Sequence, residues 1–147
     1  MRKSYKDFPV DDPNPLYPNR LRWEPLLLVR LGYHHAVSQR FFAYVDSGSG
    51  YCMFKWELAT LIGLDPKKSP LHIDEIGGAI QGVKEPIYYH KIKLYVEALT
   101  MIEVTAGFVK KLNASGILGR TGFFDNFKVV FDHSGYPFEI EKIARAN

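Results

Sequence analysis

Five apolar residues, Phe41-Phe42-Ala43-Tyr44-Val45, run directly into Asp46, and Asp46 is followed at once by Ser47-Gly48-Ser49-Gly50. The apolar run has strand character, so the chain delivers a carboxylate to the end of a strand and then turns sharply. Burying an ionised carboxylate without partners is costly, and a structural aspartate is an odd choice at such a point. On the tripeptide alone, the commoner reading is an aspartate that merely opens a turn. The rest of the chain decides between the two.

Short apolar runs with glycine or proline between them dominate the sequence. Leu26 to Leu31 and Arg40 to Val45 read as two paired strands. Phe54 to Ile62 places apolar residues at helical spacing, and Gly63 suits a left-handed end, which predicts a helix of about two turns. Ile73 to Ile76 leads into the glycine-rich Gly77-Gly78-Ala79-Ile80-Gln81-Gly82, which reads as a hairpin tip. Ile87 to Val96 and Ile102 to Val109 alternate like strands with one solvated face. Then come the apolar run Gly116-Ile117-Leu118-Gly119, a second short helix candidate from Thr121 to Phe127, and strands Lys128 to Phe131 and Pro137 to Ile140. The expected fold is mostly β with two short helices.

From Phe8 to Pro25 the prolines at 9, 13, 15, 18 and 25 predict an extended stretch with neither helix nor regular strand ladder. Residues 1–24 are therefore expected to form a Pro-rich N-terminal arm ahead of one domain spanning 25–147. With 147 residues and 46% apolar composition, the chain can bury one core. A net charge of +3, with basic residues spread along the chain, argues against nucleic acid as a partner. The lone Cys52 excludes an internal disulfide and a paired-thiolate metal site, and fits a reducing compartment. There is no apolar run near the ~20 residues needed to cross a bilayer, so a cytoplasmic protein without membrane contact is expected.

Val45-Asp46-Ser47-Gly48-Ser49 resembles the signature of the retropepsin-like aspartic proteases, the single-domain family of retroviral and bacterial type. The resemblance continues in Leu61-Ile62-Gly63-Leu64, in Ile76-Gly77-Gly78-Ala79-Ile80 as the flap, and in Ile117-Leu118-Gly119-Arg120 followed by Phe123 to Phe127. It covers roughly residues 25 to 141 and implies a closed acid-protease β-barrel with a flap hairpin. Asp46, Ser47 and Gly48 are implied as the catalytic loop. Ser49 and the flap residues Ile76, Gly77, Gly78, Ala79 and Ile80 are implied as substrate-binding, and Ile117, Leu118, Gly119 and Arg120 as structural support. The implied activity is endopeptidase, with a homodimer partner chain, a peptide or protein substrate, and no metal or cofactor. The alternative is a catalytically silent module of the same fold, for dimerisation or peptide binding.

One departure stands out: the family often pairs the late arginine with an acidic residue two places after the signature glycine, and that position here is Gly50. Asp132-His133-Ser134-Gly135 is not a second signature, because histidine takes the place of the hydroxyl residue. The glycines near 77 lack the lysine of a phosphate loop. His34, His35, His72, His90 and His133 match no metal-ligand spacing. Cys52, inside Tyr51 to Phe54, reads as a core residue.

Overall fold

The computed structural model describes residues 1–11, 15–77 and 84–144. Its elements are β1 (Arg2–Ser4), β2 (Lys6–Pro9), β3 (Leu21–Glu24), β4 (Leu26–Tyr33), β5 (Ala36–Val37), β6 (Phe41–Val45), β7 (Cys52–Lys55), α1 (Trp56–Leu61), β8 (His72–Gly77), β9 (Lys84–Val96), β10 (Thr100–Val109), β11 (Gly116–Leu118), β12 (Phe127–Phe131) and β13 (Pro137–Lys142).

The main sheet runs β5-β4-β6-β11-β7-β10-β9-β8, and a further β4–β9 pairing closes β4, β6, β11, β7, β10 and β9 into a ring. The length of β9 makes closure possible. Along one edge it pairs with β10 from Tyr88 to Val96, while the other edge takes β8 over Lys84 to Tyr89 and β4 over Lys93 to Val96. The inward face follows the period of two: Ile92, Leu94 and Val96 in β9 and Ile102, Val104, Ala106 and Phe108 in β10 are all buried. Phe54, Phe108, Phe123, Phe127 and Phe138 fill the centre. Each such side chain contributes roughly 1.5–3 kcal/mol by leaving water.

Three sequence expectations change. The helix α1 is shorter than two full turns, because Phe54 and Lys55 belong to β7; Gly63 does end it in the left-handed region, at φ +71°. Thr121 to Phe127 does not form a helix. Gly122 at φ +104° breaks the helical path, Asp125 accepts its N–H, and Asn126 donates to its carbonyl, so side chains take both backbone groups of Gly122 out of a helical ladder. Phe123 and Phe127 still reach the core from this run of turns.

The third change concerns the stretch from Phe8 to Pro25, whose ends do form a ladder: β2 and β3 pair antiparallel, with Phe8 opposite Arg22 and Pro9 opposite Leu21. Pro9 is tolerated because it ends an edge strand, where a missing N–H leaves no partner unsatisfied. The N-terminal residues are also tied down elsewhere. Strand β1 pairs with β13, which pairs with β12 on its other edge, and Trp23 stacks on Tyr136 at 4.8 Å.

Candidate active site

Strand β6 lies between β4, antiparallel, and β11, parallel. Ala43 and Val45 point into the core, and the Val45 amide donates to the Pro25 carbonyl at 2.9 Å. One residue later the Asp46 amide donates to Leu118 O at 3.1 Å, the last bond before the chain turns. Asp46 is exposed, and its Oδ1 accepts the Gly48 N–H at 2.8 Å. Its carboxylate therefore stands in solvent at the end of a buried strand.

The loop is clamped from below by the segment after β11. Arg120 Nη1 donates to Ser47 O at 2.8 Å and to Gly48 O at 3.0 Å. The Arg120 amide donates to Ser49 O and the Thr121 amide to Gly50 O, both at 2.9 Å, while the Ser49 hydroxyl donates to Tyr51 O at 2.9 Å. Gly119 is required by contact rather than by φ, for a Cβ there would lie 2.2 Å from the backbone oxygen of Tyr51. Ile117 and Leu118 supply the parallel ladder opposite Tyr44 and Val45.

Arg120, expected to lack its partner because position 50 is glycine, instead braces the loop's own carbonyls. A Cβ at Gly50 would sit 3.9 Å from its Nη2.

The structure thus brings together Asp46, Ser47, Gly48, Ser49, Ile117, Leu118, Gly119 and Arg120. Of the expected flap, Ile76 and Gly77 lie in β8 opposite Glu85 and Lys84, while Gly78, Ala79 and Ile80 lie outside the described residues. Sequence reasoning missed Tyr51. It follows the loop directly and alternates with buried Cys52, and its ring meets Tyr89 edge-on at 5.4 Å, with Tyr89 in turn packing on His72 of β8.

Three further titratable groups are structural. Burial pushes the Cys52 thiol up to about 11, so it is no nucleophile near neutrality. His90 is buried with Nε2 2.8 Å from Pro66 O. The Ser134 hydroxyl and amide hold the Asp132 carboxyl below its usual range, in the turn that joins β12 to β13. Among the described residues no three His, Cys, Asp or Glu side chains gather as a metal site, and no helix is long and apolar enough to cross a membrane.

Neither a protein-family model nor a curated protein matches the chain. Among solved structures it is similar to the retroviral protease-like domain of Ddi1 from Leishmania major, with a TM-score of 0.52 and 17% identity over 80% of this chain and 90% of that one. At that identity the likeness speaks to architecture alone: the chain has a retropepsin-like fold, a mostly β closed barrel.

Proposed function

We propose that the chain is one subunit of a homodimeric aspartic endopeptidase, with Asp46 of each copy facing the other across a two-fold axis. One observation carries this reading. An ordinary aspartate turn needs only the hydrogen bond from Gly48 to Asp46, yet here the loop is also fastened by Arg120 and by the close approach of Gly119 to Tyr51. A rigidly aimed carboxylate is what such a clamp provides.

Two carboxylates brought within a few ångströms hold one proton between them, since both cannot ionise cheaply. The ionised one takes a proton from a water that attacks the scissile carbonyl, and the protonated one donates a hydrogen bond to the carbonyl oxygen. In this reading Ser47 hydroxyls tie the two loops together. Gly48, Ser49 and the backbone of the β8–β9 hairpin pair with an extended peptide, and residues Ile76 to Ile80 shield it from bulk water.

The test combines sedimentation with cleavage of a peptide library from acidic to neutral pH, on wild type and Asp46→Asn. A dimer whose cleavage vanishes in the variant supports the proposal; cleavage that survives Asp46→Asn removes Asp46 from the chemistry.

A second reading is favoured by the terminal sheet, where β13 is flanked on both edges by β1 and β12 of its own chain. A central strand already paired within one copy suits a catalytically silent module that binds peptides. A strict monomer without cleavage at any pH supports that reading instead.

A further inference from the structure

Beside the Asp46 loop, on the outer face of the barrel, Met53, Gly107, Tyr89 and His72 form one row across four strands. Gly107 leaves a gap in that row, and neighbouring side chains close over it. A Cβ there would lie 2.3 Å from Ile87 Cγ2 and 3.1 Å from Tyr89 Cε1. Ile87, Tyr89 and Val109 are consequently buried on the outside of the barrel, with Met53 and Leu112 packed against them.

Tyr51 forms one rim of this floor; it is 47% exposed although its ring touches Tyr89. Asp74 forms the opposite rim, for it pairs with Ile87 in the β8–β9 ladder just as His72 pairs with Tyr89. Burial chiefly, then the nearby Asp74 and Tyr51, raises the Tyr89 hydroxyl, which agrees with this closeness. Asp74 is exposed, accepts the Glu75 amide, and takes part in no ion pair among the described residues; Lys84 is engaged by Glu75 instead.

We infer that this surface reads a basic side chain of the bound peptide, its aliphatic stem lying on the rings of Tyr51 and Tyr89 and its cationic head meeting Asp74. The inference rests on the proposed peptidase site and names its substrate class: peptides with Lys or Arg beside the cleaved bond. A leucine would cover the rings but strip water from Asp74 unrewarded, and a glutamate would meet like charge.

The test measures binding of short fluorescent peptides, carrying Arg, Leu or Glu at each position in turn, to the Asp46→Asn protein at low salt. At one position Arg is expected to bind roughly tenfold tighter than Leu, about 1.4 kcal/mol, the combined size of an exposed cation–π contact and an exposed ion pair. Asp74→Asn should cut that preference to about threefold, the cation–π part alone, Asp74→Lys should turn it toward Glu, and Tyr51→Ala should weaken Arg peptides more than Leu peptides.

Equal binding of Arg and Leu peptides, or a preference untouched by Asp74→Asn, overturns the inference. Binding by Asp46→Asn does not depend on catalysis, so the two readings fail separately. Wild-type cleavage without an Arg preference overturns only this one, and an Arg preference without cleavage overturns only the peptidase.

Discussion

Replacing Gly119 by alanine tests the clamp beneath Asp46 most directly. The new Cβ would meet three backbone atoms of Tyr51, at 2.2 Å (O), 2.5 Å (C) and 2.8 Å (N). No rotamer change relieves a clash with backbone, so one segment must withdraw. Reaching even 3.0 Å from the oxygen requires about 0.8 Å of displacement. A shift of that size loosens the bond from the Ser49 hydroxyl to Tyr51 O and the two amide bonds from Arg120 and Thr121.

Overpacking costs about 1–3 kcal/mol and each weakened hydrogen bond roughly 0.5–1.5 kcal/mol, so a loss of about 4 kcal/mol is expected. For a chain of this size that corresponds to a fall in melting temperature of roughly 10–15 °C. Thermal unfolding followed by circular dichroism measures it. Gly135→Ala is the control, because its Cβ meets nothing nearer than Pro137 Cδ at 3.5 Å. If Gly119→Ala melts within about 2 °C of wild type, the close approach is not what holds the loop, and the reasoning fails.

Three further outcomes follow from single residues. The Cys52 thiol ionises near 9.0 when unfolded and at about 11 when folded, so its contribution is complete below pH 9 and falls as pH rises through 11, by roughly 2–3 kcal/mol. Urea unfolding of wild type and Cys52→Ala between pH 8 and pH 11 reads this, and a difference that does not change with pH contradicts it. Gly50→Asp puts a carboxylate near Arg120 Nη2 and should raise stability by less than about 1 kcal/mol at low salt. That gain should vanish in concentrated salt, and one that persists would mean the ion pair is not its source. Gly63→Ala meets nothing within 4 Å but keeps φ +71°, so it should cost about 1 kcal/mol through backbone strain alone, read as a small drop in the urea midpoint.

The residues along the chain were enough to determine the strands, because hydrophobic alternation is a local property: β9, β10 and β6 lie where Ile87 to Val96, Ile102 to Val109 and Arg40 to Val45 place them. The left-handed Gly63 was legible for the same reason. The Asp46 loop and Ile117 to Arg120 were recognisable as a pair from order and residue type. What local pattern could not reveal was competition between distant partners. Thr121 to Phe127 has helical content, but the side chains of Asp125 and Asn126 each bind Gly122, and Phe123 and Phe127 are drawn into the barrel. Pro9 looks like a strand breaker until Leu21 arrives opposite it. Arg120 looks partnerless until the loop carbonyls are folded beneath it, and Tyr51 looks like a loop residue until Gly107 lets Tyr89 lean toward it. Sequence alone thus supplied the parts and their order; only the tertiary structure decided which side chains meet, because meetings such as Arg120 with Ser47 and Tyr51 with Tyr89 join residues tens of positions apart through contacts that no local periodicity encodes.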